Sequence, residues 1–248
     1  KTLMRWLVVA GGAVVFVGGV AAGSIASGSN NVGCPHSSGV QRLQVFDRIA
    51  SGYDDKTTKE ERMLGLPSIR HDLVKLAKGD VLEVSCGTAR NLSFYPSDIS
   101  RLTLCDNSAN MLNVAQQKVG SRPNVHVVLG DTQNLKQTFP TEQFDTVVDT
   151  FGICSVADPV DALRCIGQVC KPEGRILLLE HGRSHFGLLN QYLDARCVSH
   201  LNDWGCSWNR DMRRLVEESG LIILKHSTRH FGTTQIFECQ PNGEQGKQ

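Results

Sequence analysis

The chain has 248 residues, room for one sizeable α/β domain and an appendage but not for two full enzyme domains. Its 26 Lys and Arg against 25 Asp and Glu give a formal net charge of +1, and only 6% of residues are aromatic, so composition carries no electrostatic footprint for a nucleic-acid partner. The nine cysteines show no Cys-x-x-Cys pair, and Cys105, Cys154, Cys165, Cys170 and Cys239 fall inside hydrophobic runs, which predicts small apolar core thiols rather than disulfides or metal ligands.

From Leu7 to Ala26 the sequence LVVAGGAVVFVGGVAAGSIA holds no charge and no proline. Roughly 20 residues at 1.5 Å each cross a ~30 Å hydrocarbon layer, and the run exceeds a signal-peptide core, so it predicts a retained transmembrane helix over residues 1–26. Trp6 would anchor the interface, and Lys1 and Arg5 precede the span while no Lys or Arg follows before Arg42. Residues 27–39 (Ser27 to Gly39) read as a polar linker, residues 40–239 as the folded domain, and 240–248 as a polar tail.

Beyond the linker, Val40 to Ala77 is helical in pieces, broken near Gly52 and Pro67. Hydrophobic runs then alternate with helical patterns, the mark of a sheet covered on both faces. The strands are Val81–Ser85, Leu102–Asp106, Val125–Asp131, Phe144–Phe151, Arg175–His181, Leu221–His226 and Thr233–Cys239, the last two antiparallel at one edge. Helices are expected over Ser108–Val119 capped by Ser108, over Pro159–Val169 capped by Asp158, and over Asn209–Ser219 capped by Asn209. A turn is expected at Lys171–Gly174, and an amphipathic cap helix over Gly187–Asp203.

The loop Glu83-Val84-Ser85-Cys86-Gly87-Thr88-Ala89-Arg90 follows the first strand, and open α/β sheets bind ligands at the carboxyl ends of their strands. Asp106 ends the second strand, where a carboxylate can accept both hydroxyl hydrogens of a ribose. Asp131 ends the third, placed for an adenine amino group. Three acids at successive strand ends give a short glycine loop its weight. Ala89 stands where its Cβ opposes a positive φ, and ordinary helical dihedrals are expected there if the site is active.

The stretches FDRIASGYD, LEVSCGTARN, LTLCDNSANML, GDTQNL and FDTVVDTFGICSV resemble class I S-adenosylmethionine-dependent methyltransferases, in particular the quinone C-methyltransferase group. ILLLEHGRS followed by WGCSWNRDM is similar to membrane-anchored methyltransferase-like proteins, both the mitochondrial inner-membrane type and the alkyl-thiol type of the endoplasmic reticulum. The resemblance implies a seven-stranded Rossmann-like sheet with helices on both faces and S-adenosylmethionine as cofactor. It implies that Glu83 supports the loop, that Ser85, Cys86 and Gly87 approach the methionine portion, that Asp106 meets the ribose, that Asn107 beside it also contacts the cofactor, that Asp131 and Thr132 meet the adenine, and that Tyr53 closes over the methionine carboxylate. Of a G-x-G-x-G pattern only Gly87 is kept.

His181, at the end of the fifth strand, is the candidate catalytic or substrate-orienting residue, beside the reading of a structural histidine. Trp204 and Trp208 either line an acceptor pocket or pack. No Asp/Asn-Pro-Pro-Tyr follows the fourth strand, against an amino-group methyltransferase, and Ile153 rather than proline precedes Cys154, against covalent cytosine chemistry. The function expected is methyl transfer to a small lipophilic or thiol-bearing acceptor at a membrane. The rival is an inactive fold serving as an assembly subunit of a mitochondrial inner-membrane complex. Localisation is expected at the mitochondrial inner membrane with the domain in the intermembrane space, the endoplasmic reticulum membrane being the alternative.

Overall fold

A computed structural model describes residues 38–243, and the backbone of residues 5–9 and 13–17. The latter form two five-residue strands, β1 (Arg5–Val9) and β2 (Ala13–Val17), paired antiparallel. Where it is described, the segment expected as a membrane helix is therefore extended, which suits its valine-rich composition; the remainder, with the linker up to residue 37, lies outside the described residues. Among the described residues no helix is long and apolar enough to cross a membrane.

The domain begins with three helices, α1 (Gly39–Ile49), α2 (Tyr53–Met63) and α3 (Leu66–Val74). Ser38 and Gln41 close a reciprocal capping box on α1. The expected break near Pro67 falls at Leu64–Gly65, between α2 and α3, and Pro67 itself sits in the first turn of α3, where its missing N–H costs nothing. The sheet strands follow as β3 (Asp80–Val84), β4 (Arg101–Asp106), β5 (Val125–Leu129), β6 (Phe144–Thr150), β7 (Cys170–His181), β8 (Ile222–Arg229) and β9 (Thr234–Gln240). Their order is β5-β4-β3-β6-β7-β9-β8, parallel except for β9, which is antiparallel to both neighbours. The expected turn at Lys171–Gly174 appears as a break in register, Cys170 pairing with Phe144 and Arg175 with Thr146.

Alternation along each strand supplies two cores. Leu82, Val84, Val147, Ile176 and Leu178 face one side, against α6 (Pro159–Val169), α7 (Gly187–Trp204) and α8 (Met212–Ser219). Val81, Leu104, Val148, Leu177 and Leu179 face the other, against α3 and α4 (Ala109–Val119). A four-residue helix, α5 (Leu135–Thr138), adds Leu135 to the first core. Ser108 and Asp158 cap α4 and α6 as expected, accepting from Met111 N and Asp161 N. The cap of α8 is Asp211, not Asn209. Asn209 is turned inward instead, its amide donating to Asp194 at 2.7 Å.

Chain order runs outward from β3 to β4 and β5, then returns to β6 and β7 on the other side. That reversal opens a crevice at the carboxyl ends of the central strands.

Candidate active site

The loop after β3 alternates left-handed residues: Ser85 at φ 48°, Gly87 at 54° and Ala89 at 58°. The backbone thus has the alternation that three glycines would give, although two of the three positions carry a Cβ. The expectation of helical dihedrals at Ala89 is corrected. A left-handed non-glycine residue costs roughly 1–2 kcal/mol, and local contacts offset it. Ser85 Oγ shares a hydrogen bond with Thr132 Oγ1 at 3.0 Å, and the Ala89 N–H donates to Cys86 O at 2.9 Å. The Ala89 methyl packs into the core with Leu102 and Leu112 rather than into the crevice.

Asp106 is buried at the end of β4, with Oδ2 accepting the Gly87 N–H and Oδ1 the Ser108 N–H, both at 2.8 Å. Each oxygen keeps a lone pair for a ligand. Burial pushes its carboxyl up to about 6. Glu83 is likewise buried, accepting from Asn91 Nδ2 at 2.9 Å and Tyr95 OH at 2.7 Å, and burial pushes it up to about 7. Asp131 is exposed at the rim, two residues beyond β5, where it caps a short turn by accepting the Gln133 N–H at 2.9 Å.

Helix α2 closes one side of the crevice. Asp54 accepts from Thr88 Oγ1 at 2.7 Å and Arg90 Nη1 at 2.9 Å. Glu61 bridges Arg70 at 2.9 Å and Arg90 at 2.7 Å. Burial alone would raise Glu61, but the two guanidinium groups hold its carboxyl below the usual range. These ion pairs tie the helix to the cofactor loop, and nothing in the sequence spacing announced them.

All nine expected binding residues line one cavity of about 390 Å³: Tyr53, Glu83, Ser85, Cys86, Gly87, Asp106, Asn107, Asp131 and Thr132. Arg42 and Phe46 from α1, Arg70 from α3, and Thr150, Phe151 and Gly152 at the end of β6 and just past it line the cavity too, and none was singled out from the sequence. The end-of-strand rule that picked Asp106 would also have picked the last three. Gly152 is required where it stands: a Cβ there would strike the Asp149 carboxylate and Ser85. Asp149 and Glu180, on adjacent strand ends, are buried together; desolvation raises both carboxyls, and the Asp149 charge pushes Glu180 up further while a hydrogen bond from Glu180 partly offsets the rise at Asp149, so they cannot both ionise freely.

His181 does not line that cavity. It borders a smaller one of about 50 Å³, with Leu64, Leu66, His200, Trp204 and Cys206. Phe46, Tyr53, Phe151 and Ser155 form walls common to the two. Phe151 is left-handed, at φ 62°, with its ring stacked on His181 at 4.3 Å and the Arg70 guanidinium 4.9 Å from its centroid. Strain of this kind collects at functional sites. Of the two tryptophans, Trp204 lines the inner cavity. Trp208 packs, buried, with its indole N–H donating to Leu193 O at 2.9 Å. Among the described residues seven cysteines are free thiols, six of them buried, while Cys197 is disulfide-bonded, which corrects the expectation of thiols rather than disulfides.

Residues 82–178 match the family described as "Methyltransferase domain". The chain is 38% identical over 216 residues to the mitochondrial methyltransferase OMS1 of Saccharomyces cerevisiae, covering 80% of this chain and 46% of that protein. It is 34% identical over 142 residues to the demethylmenaquinone methyltransferase of Staphylococcus haemolyticus, covering 55% and 59%. The chain thus spans about half the length of the curated relatives it matches. Among solved structures, the DhpI–SAM–HEP complex is similar in fold, with a TM-score of 0.62 at 19% identity, over 83% of this chain and 99% of that one. Residues 82–178 therefore carry a methyltransferase-domain match, and the chain is similar to quinone-type methyltransferases and to a mitochondrial methyltransferase, with the fold of the cofactor-bound structure.

Proposed function

We propose that the chain transfers a methyl group from S-adenosylmethionine to a small lipophilic or thiol-bearing acceptor drawn from a membrane. The observation that carries this reading is the pair of adjoining cavities, one lined by acids and glycine-loop backbone, the other mostly by apolar and aromatic groups, with Phe151 in the common wall. The residues fit the cofactor. A Cβ at Gly87 would project into open space, and both Asp106 oxygens retain acceptor capacity beside the backbone amides they already bind. When bound, S-adenosylmethionine supplies an activated methyl group on a sulfonium centre.

Each protein group then has a task. Asp106 and Asn107 hold the ribose, Asp131 and Thr132 the adenine, and Ser85, Cys86 and Gly87 the methionine end. Tyr53, whose phenol burial pushes up to about 12, stays protonated and donates to the methionine carboxylate. The apolar walls exclude water and align the acceptor, which supplies much of the rate in a displacement. His181 orients the acceptor. Glu60 lines the same inner cavity with Oε2 buried and unpartnered among the described residues, and burial pushes its carboxyl up to about 7. It is the proton acceptor. The open 390 Å³ cavity, and the Ala89 methyl lying outside it, support the enzyme over the rival assembly subunit.

The uncharged run from Leu7 to Ala26 supports a membrane tether, and the mitochondrial relative supports a mitochondrial location, for which the inner membrane is proposed. Basic residues ahead of that run favour the domain in the intermembrane space, so protease added to mitoplasts is expected to digest it. The chemical test uses purified chain, isotopically labelled cofactor and two acceptors, an alkyl thiol and a reduced quinone. Labelled product from one acceptor, lost in Asp106→Ala, is expected. Cofactor binding without product from either acceptor would overturn the substrate class.

A further inference from the structure

Behind the inner cavity, three soft-metal donors converge from three separate segments. Cys154 lies in the turn after β6, His181 at the end of β7, and Cys206 just past α7. The two sulfurs are 3.2 Å apart, and His181 Nδ1 lies 3.6 Å from Cys154 Sγ and 3.5 Å from Cys206 Sγ. In a tetrahedral zinc site with Zn–S near 2.3 Å and Zn–N near 2.0–2.1 Å, neighbouring donor atoms lie roughly 3.5–3.8 Å apart. Both sulfur–nitrogen edges already have that length, and only the sulfur–sulfur edge must open by about half an ångström.

The scaffold around the triangle is built to hold it. Arg210 donates to the carbonyls of Ile153 at 2.8 Å and Val156 at 2.6 Å, fixing the turn that carries Cys154. Arg42 spans both cysteine segments, donating to Gly205 O at 2.9 Å, Ser207 Oγ at 3.0 Å and Ser155 O at 3.4 Å. The Ser207 N–H donates to Cys154 O at 2.9 Å, and Phe151 stacks on the imidazole. Rotamers locked by surrounding hydrogen bonds and packing are what a metal site needs. The other buried free thiols, Cys86, Cys105, Cys170 and Cys239, belong to no such group among the described residues.

We propose that Cys154, His181 and Cys206 bind one zinc-class divalent cation, with the fourth coordination position open toward the inner cavity. His181 and Cys206 line that cavity, whereas Cys154 closes the site from behind. Three protein ligands and one open position are the arrangement of a catalytic rather than a structural zinc. A thiol-bearing acceptor entering the cavity would coordinate there as its thiolate, the S–H proton passing to Glu60. This last step alone rests on the function proposed above.

The test uses the full chain, reduced with a phosphine and freed of metal by a chelator, and titrated with Co²⁺ alone. One equivalent should give intense tetrahedral bands and thiolate-to-cobalt charge transfer, all abolished by one equivalent of Zn²⁺. Cys154→Ser and Cys206→Ser should each lose about half the charge-transfer intensity and weaken zinc at least tenfold, while Cys165→Ser changes neither. In wild-type chain, which needs no substitution to fold, zinc should shield Cys154 and Cys206 from alkylation and leave Cys165 as reactive as before. Absence of stoichiometric uptake by the reduced chain, uptake unaltered by both serine variants, or unshielded Cys154 and Cys206 would overturn the site. A small thiol added to the cobalt form should shift its spectrum; an unchanged spectrum would overturn the thiol ligand while leaving the metal site standing.

Discussion

Replacing Asp106 by asparagine separates a ligand-binding carboxylate from a structural one. In the free chain its two oxygens accept one backbone N–H each, from Gly87 and Ser108. Asparagine keeps one acceptor and turns an amide donor toward the other N–H, leaving a buried donor unpaired at about 1–3 kcal/mol. Against this, burial pushes the Asp106 carboxyl from 3.8 to about 6, so holding it ionised at pH 7.5 costs about 3 kcal/mol, which asparagine returns. The two effects nearly cancel, and the free variant should melt within a few degrees of wild type. Cofactor binding has no such compensation. Each charge-assisted bond to a ribose hydroxyl contributes about 1.5–3 kcal/mol, so Kd should rise about ten- to hundredfold. Calorimetric titration at pH 7.5, with a melting curve on the same samples, reads both quantities. Wild-type affinity in the variant would refute the ribose role. A large fall in melting temperature matched by the affinity loss would make Asp106 merely structural.

Three further outcomes follow from the same geometry. Because the Asp106 carboxyl sits near 6 in the free chain and the ribose favours its ionised form, affinity should be level above pH 7 and fall about tenfold by pH 5. Affinity is the readout because His200, which burial pushes down to about 3, moves stability with pH in the opposite sense to the raised carboxyls; a flat affinity profile from pH 5 to 7.5 would exclude the linkage. Ala89→Gly should relieve about 1–2 kcal/mol of left-handed strain, largely offset by lost methyl burial and a freer unfolded chain, with cofactor affinity altered less than tenfold; a larger affinity change would place that methyl in the cavity. Glu61→Gln removes the charge shared by Arg70 and Arg90 and should destabilise by about 3 kcal/mol, read as a drop in melting temperature of roughly 6–12 °C; an unchanged melting curve would show that the network does not hold α2 in place.

The sheet was legible because its signal is periodic. Every strand expected from the alternation of hydrophobic runs is present, and Ser108 and Asp158 announced their helices through their own side chains. The lining of the crevice was legible because open sheets bind ligands at strand ends, which singled out Glu83, Asp106 and Asp131 without any distance being known. What stayed hidden depends on contacts between distant segments. The Glu61–Arg70–Arg90 network joins residues of three elements, and its charges look like ordinary surface pairs in the sequence. Asn209 has the chemistry of a helix cap, but its amide is taken by Asp194, so Asp211 caps instead. The left-handed states of Ser85 and Ala89 were illegible because propensity argues against them; neighbouring hydrogen bonds and packing override it. His181 follows directly from the strand-end rule, yet Phe151 separates it from the cofactor cavity, which only the structure reveals.

S-adenosylmethionine is proposed to occupy the crevice at the carboxyl ends of β3, β4 and β5. Thermal unfolding of the purified chain, with and without S-adenosylmethionine or its demethylated product, tests it most directly. Ligand at about 100 times its dissociation constant should stabilise the fold by roughly 2.7 kcal/mol, with the gain lost in Asp106→Ala at the same ligand concentration. No shift at millimolar ligand in a well-folded chain, or an equal shift in Asp106→Ala, would rule out this crevice as the cofactor site.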